Sequence, residues 1–168
     1  HSLKGFERGT LSILAGRPGV GKSAVAVCIG ANMAAEQSIG FVSADMKAIE
    51  LKRRLACYIN WQNGVWTPQV GDMKSPGMMN AETRDNLMAA LETPQARNFL
   101  LNERHGQTVA EVNTQIRAWK NHCARWGMPP LGVVFIDHIA KIAPRQRWSN
   151  LYEKTSFACN ELLDVAKQ

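Results

Sequence analysis

Gly16-Arg17-Pro18-Gly19-Val20-Gly21-Lys22-Ser23 has the form G-x-x-x-x-G-K-[ST], the Walker A loop. The spacing has a physical cause. Glycines let backbone amides turn inward without Cβ clashes. A helix starting near Lys22 aims its positive end at the same place. Lys22 adds a point charge for β- and γ-phosphates, and the Ser23 hydroxyl can ligate Mg²⁺. Gly16, Arg17, Pro18, Gly19, Val20, Gly21, Lys22 and Ser23 are therefore the candidate contacts to ATP. The flanks suit the mechanism. Leu11 to Ala15, L-S-I-L-A, is expected as a strand leading into the loop. Ser23 to Ala35, rich in Ala, Val, Ile and Met, is expected as a buried helix leaving it.

Further along, Ile39 to Ala44 reads as a second strand, and Ala48 to Trp61 as a helix with Leu51, Leu55, Tyr58 and Ile59 at helical spacing. Lys47, Lys52, Arg53 and Arg54 fall on that helix's outer side and are read as a solvated face. Asn63 to Gly77 is a connection, Ala81 to Leu91 a helix, and Asn98 to Asn102 a short strand. Thr108 and Glu111 fit a capping box. Behind them Val109, Val112, Ile116, Trp119, Cys123 and Trp126 recur at steps of three and four, which places both tryptophans in the core. Gly127, Pro129 and Pro130 stop that helix. Val133 to Ile136 reads as a fully buried strand, and Leu151 to Lys167 as a last helix. Strands alternating with helices give an α/β fold, a mostly parallel sheet flanked by helices on both faces.

Two further elements complete the candidate site. Val133-Val134-Phe135-Ile136-Asp137 has the Walker B form, a hydrophobic strand ending in a carboxylate, so Asp137 is the second candidate for Mg²⁺. Asp45, in Ser43-Ala44-Asp45-Met46, stands at the carboxyl end of a strand, where α/β sites lie. It reads either as the residue that activates an attacking water or as a cap on the helix behind it. His138, directly after Asp137, could face the nucleotide or DNA, or be a packed or solvated histidine, while His105 and His122 lack metal-ligand spacing and receive no role.

At 168 residues the chain fits one domain and can bury roughly 70% of its unfolded surface. Its 20 Lys and Arg against 14 Asp and Glu leave a net +6, which permits a nucleic-acid partner without requiring one. No apolar run approaches ~18 residues, which argues against a transmembrane helix. The opening residues do not have the pattern of a signal peptide, so none is expected. Cys28, Cys57, Cys123 and Cys159 lie far apart, as buried thiols in a reducing cytoplasm do.

These residues together resemble the ATPase domain of DnaB-type replicative helicases. Leu11 to Ser23, with Arg17-Pro18 inside the loop, resembles the family's L-I-I-L-A-A-R-P-S-M-G-K-T. Phe41 to Met46, followed by Leu51 and Arg54-Leu55, resembles F-F-S-L-E-M with its trailing L-x-x-R-L. Val134 to Ile139 resembles I-V-I-D-Y-L. Asn150, Glu153, Ser156, Leu162 and Ala166-Lys167 resemble N-x-x-E-x-S-x-x-L-K-x-L-A-K.

The resemblance implies a RecA-like fold and a ring-shaped homohexamer with ATP at subunit interfaces and an arginine finger from the neighbour. It implies ATP-driven translocation on single-stranded DNA at replication forks, with a primase and a helicase loader as candidate partners. Carried onto this chain, Lys22 and Asp45 are catalytic, and Ser23 and Asp137 hold Mg²⁺. Asp45 replaces a glutamate one methylene longer, and a displacement of ~1 Å at a reacting centre can cost ~10²-fold in rate; hydrolysis is expected to survive. Ser23 replaces threonine and His138 replaces tyrosine. Arg145, Arg147 and Lys154, after the Walker B strand, are the candidate DNA contacts.

Residues 1–168 are expected to form a partial domain. The family's N-terminal domain, linker helix and C-terminal strands would lie outside it. The next strand of a RecA-like sheet sits between the P-loop strand and the Walker B strand, and its absence would leave unpaired backbone. Two alternatives remain. A recombinase or KaiC-like assembly switch is disfavoured by Arg17-Pro18 and by Ser43 to Met46. A non-hydrolysing scaffold is disfavoured by intact Lys22, Ser23 and Asp137, although Asp45 leaves room for it.

Overall fold

The computed structural model describes residues 5–75, 77, 79–142 and 150–168. Three β-rich apolar runs pair as strands: β1 (Ser38–Ser43), β2 (Phe99–Asn102) and β3 (Leu131–Asp137). They form a wholly parallel sheet in the order β2-β1-β3. The helices are α1 (Lys22–Met33), α2 (Ala48–Gln62), α3 (Ala81–Leu91), α4 (Pro94–Arg97), α5 (Val109–Trp126) and α6 (Leu151–Ala166). Short 3₁₀ turns cover Asp72–Lys74 and Ile139–Lys141.

Strand alternation divides the core into two layers. Ile39, Phe41 and Phe99 face one side, with Val133 and Phe135, and pack against α1, α2, α3 and α4. Phe41 sits between Phe99 and Phe135, with ring centroids 5.9 and 5.7 Å away. Val42, Leu100, Val134 and Ile136 face the other side, against α5 and α6. A bulge opposite Ser38 and Ile39 puts Leu131 and Val133 on opposite faces. It falls at Gly132, where a Cβ would lie 1.6 Å from Gln37 Oε1.

Close approach needs small residues at two places. A Cβ on Gly30 would come within 2.8 Å of the Phe99 ring, so glycine lets α1 lie close to the sheet. A Cβ on Gly40 would meet the Trp119 ring at 2.6 Å. Trp119 is buried over that bare patch of β1. The start of α5 carries the expected capping box. Glu111 N–H donates to Thr108 Oγ1 at 3.3 Å, and Thr108 N–H donates to Glu111 Oε2 at 2.8 Å. The Thr108 amide, and then its hydroxyl, hold the Glu111 carboxyl below the ordinary value. The cap is therefore intact above the usual carboxylate range and is lost as pH falls through the lowered value.

Four expectations need correction. Leu11 to Ala15 is not a strand: no strand pairs with it among the described residues, and Ile13 is 67% and Leu14 56% exposed. A β-forming run becomes a strand only when a neighbour takes its backbone hydrogen bonds. β3 is half-buried rather than fully buried, because its outer edge pairs with no described strand. α1 is buried along one side only, at Val27, Gly30 and Ala31. Trp126 is 67% exposed, beside Arg125 and His122, although it shares a face with Trp119. The eighteen residues of α5 span about 27 Å, against about 23 Å for the seven of β3. The helix outruns the sheet it covers.

Gly40→Ala should lower stability by roughly 1–3 kcal/mol, because the Trp119 ring must move off β1. A urea denaturation midpoint checks this; an unchanged midpoint would show that the ring yields freely.

Candidate functional site

The loop Gly16 to Gly21 is wholly exposed and opens into the first turn of α1. Gly19 and Gly21 take φ of +80° and +91°, which L side chains rarely adopt, and a Cβ at either would meet nothing within 4 Å. Gly21 is the N-cap and supplies no side-chain cap, so the first amides of α1 face the loop without a side-chain partner. Lys22 Nζ donates to Gly16 O at 2.9 Å and to Arg17 O at 2.8 Å. The loop thus closes around its own ammonium. Positive charge, free amides and missing Cβ atoms are what a polyphosphate requires.

Ser23, one residue into α1, donates from Oγ to Asp137 Oδ2 at 2.6 Å. The contact joins residues 114 apart in sequence. It forms because β3 ends at Asp137 as α1 begins. One hydroxyl and one carboxylate suit a magnesium ion that takes its other ligands from phosphate and water. Among the described residues no cluster of three His, Cys, Asp or Glu could hold a metal by itself.

The register places Ser43 opposite Asp137, so β1 and β3 end side by side. Asp45 follows two residues later. It does not cap α2: the N-cap is Lys47, and the Ala48 amide donates to Glu103 Oε2 from the loop after β2. Asp45 pairs instead with Lys141, in the turn after β3. The Lys141 hydrogen bond and charge, with smaller contributions from His138 and His105, hold the Asp45 carboxyl below its ordinary value. His105 Nδ1 bonds to Ala44 O at 2.6 Å, next to Asp45. His138 adopts a φ of +76°, the left-handed turn that redirects the chain after Asp137.

The sequence reading thus placed the loop, Ser23, Asp137 and Asp45 at one end of the sheet, and the structure brings them there. Lys154 also lies close by, but its ammonium donates to Ala140 O at 2.8 Å and fastens α6 to the Ile139–Lys141 turn. Arg145 and Arg147 lie outside the described residues. Lys141, Glu103 and His105 were missed. None belongs to a motif, and each gains its place only through strand order.

Comparisons with known proteins place the chain in a family and support its fold. Residues 1–168 match the family described as the DnaB-like helicase C terminal domain. The chain belongs to that family. It is 28% identical over 170 residues to the replicative DNA helicase DnaC of Bacillus subtilis (strain 168), covering 98% of this chain and 34% of the relative. It is 25% identical over 178 residues to the replicative DNA helicase DnaB of Rickettsia bellii, covering 99% and 33%. The chain spans about a third of the length of these relatives. Among solved structures, a DnaB-like replicative helicase studied for its interactions with primase superposes with a TM-score of 0.71 at 21% identity, over 90% of this chain and 34% of that one. The ATPase domain of G40P superposes with 0.70 at 21%, over 90% and 50%. The fold is that of DnaB-like ATPase domains, RecA-like, and this chain carries part of it. No described helix is long and apolar enough to cross a membrane.

Glu103→Ala should cost ~1 kcal/mol by uncapping α2. Asp45→Ala should cost less, since it removes only an exposed ion pair. Thermal unfolding of both variants separates the two roles, and the reverse ranking would make Asp45 the structural residue.

Proposed function

We propose that this chain is the nucleotide-hydrolysing part of an ATP-dependent DNA helicase, which uses ATP to move along single-stranded DNA and to separate duplex at replication forks. The observation that carries the reading is the Ser23–Asp137 hydrogen bond beside an open glycine loop. It sets a Walker A hydroxyl and a Walker B carboxylate at one point. In this reading the backbone N–H groups of Gly16 to Ser23, including those of Arg17 and Val20, line the phosphates, while Pro18, which has no N–H, shapes the loop. Lys22 leaves its loop carbonyls for the β- and γ-phosphates. Mg²⁺ held by Ser23 and Asp137 would neutralise charge on the phosphate oxygens. Asp45 orients a water and takes its proton as the water oxygen bonds to the γ-phosphorus. The bond to the bridging oxygen breaks and ADP departs.

The family match supports the wider reading: a cytoplasmic homohexamer on single-stranded DNA, with primase and a loader as partners. Among the described residues neither the outer edge of β3 nor Leu11 to Ala15 is paired with a strand, which supports a domain completed by further strands. Arg145, Arg147 and Lys154 are the DNA contacts proposed. Neutralising Arg145 or Arg147 should reduce the salt slope of DNA binding by about one each. Lys154, already engaged with Ala140 O, should reduce it by less.

The test is ATP hydrolysis by the full-length protein with and without single-stranded DNA, alongside Lys22→Ala and Asp45→Asn. DNA-stimulated turnover that falls by roughly 10²-fold or more in both variants, with ATP still bound by Asp45→Asn, supports the reading. Tight ATP binding without turnover in the unaltered protein would instead make the site a switch or scaffold. Turnover without strand separation on a forked duplex would favour the recombinase-like or regulatory alternative.

A further inference from the structure

Asp45 has a neighbour that the proposed chemistry does not yet use. β3 ends at Asp137, and His138 turns the chain with a φ of +76°. The following turn, Ile139–Lys141, therefore doubles back along the carboxyl end of β1. It is held on both sides of Lys141. Ala140 O accepts the Lys154 ammonium at 2.8 Å, and Ile142 is buried in the α5–α6 layer. Lys141 is thus a flexible side chain on a fixed stem, and its Nζ hydrogen-bonds Asp45 Oδ1. Asp45 lies in the bend between β1 and α2, with its side chain about half exposed. Among the described residues no other hydrogen bond or ion pair holds its carboxylate: the neighbouring Ser43 hydroxyl bonds to Met46 O and the His105 ring to Ala44 O.

We infer that Lys141 is a positioning residue for Asp45, fixing one carboxylate oxygen so that the other is presented to water in the ATPase reaction. The inference rests on the reading of Asp45 as the water-activating group. A short, half-exposed carboxylate on a bend would otherwise sample several rotamers, and an aspartate cannot reach as far as the longer side chain. A cation anchored on the adjacent strand end restricts it. Because the pair is exposed, its effect is bounded: roughly two- to fivefold in rate.

The charge has a second consequence with a definite sign. The groups facing Asp45 are Lys141, His138 and His105, all lowering its affinity for a proton. Asp45 must be ionised to accept a proton, so turnover persists to lower pH while Lys141 is present. Removing the cation moves the acid limb of kcat to higher pH.

The experiment compares Lys141→Met, Lys141→Arg and Lys141→Glu in the full-length protein, with kcat, KM for ATP and the pH profile of kcat as readouts, and circular dichroism at each pH to confirm folding. Lys141→Met should lower kcat roughly two- to fivefold with KM unchanged and move the acid limb upward. Lys141→Glu should move it further, and Lys141→Arg should restore both. An unmoved limb and unchanged kcat in Lys141→Met would overturn the inference while leaving Asp45 as the base. A kcat that rises would make the ammonium a lock and overturn it equally. Full turnover in Asp45→Asn would remove the reading on which it rests.

Discussion

The fold hangs on β1. All six of its residues are buried, and among the described strands it alone pairs on both edges, with β2 on one side and β3 on the other. Its backbone groups cannot reach water, so its position is fixed by two parallel ladders at once. Phe41 joins the aromatic row on one face, and Gly40 leaves room for Trp119 on the other. The register that results sets Ser43 beside Asp137. From that alignment follow the hydroxyl–carboxylate contact at the start of α1 and the placement of Asp45 within reach of the turn after β3. A slip of one residue along β1 would turn its whole core set to the wrong face.

The site combines two kinds of structure. The glycine loop is local: eight consecutive residues contain the positive-φ glycines, the lysine and the helix start, and they fold on one another. The carboxylate end is non-local. Asp45, the Asp137–Lys141 stretch and His105 come from three separate segments and meet only because the strands are parallel and ordered β2-β1-β3. Local chemistry is written in a contiguous pattern, whereas the groups that tune it depend on the assembled sheet.

That division explains what could be read from the sequence. The capping box at Thr108 and the bounds of α3 each follow from spacing within one segment, the parallel layering follows from strands alternating with helices, and all three are found as expected. Asp45 and Asp137 could be singled out because they stand at or just past the carboxyl ends of strands, and the structure places them at neighbouring strand ends. Leu11 to Ala15 was misread because a strand is a property of two segments, and one cannot report whether its partner is present. Trp126 was misread for a related reason. Periodicity gives the face of a helix but not how far the covering sheet extends. Lys141 carried no signal at all: a lone lysine four residues past a Walker B aspartate looks like any solvated cation until the left-handed turn at His138 is known.

The exposure of the loop bears on how such a site could work. Residues 12 to 21 are all open to water, and the ion pair of Asp45 with Lys141 is half-exposed. Charged groups stabilise phosphoryl transfer far better where water is excluded, because each interaction is then less screened. Asp45 is in the same position: in water its proton affinity and orientation are tuned only modestly by a neighbouring ammonium, and more strongly once the pair is covered. Among the described residues nothing covers the loop, and the Asp45–Lys141 pair stays half-exposed. A second surface laid over the carboxyl end of the sheet would raise the effect of every group there together: Lys22, Ser23, Asp137, Asp45 and Lys141. A subunit interface at this edge, as the family resemblance implies, would do so, and it would make turnover depend on the neighbour being in place as well as on the residues of this chain.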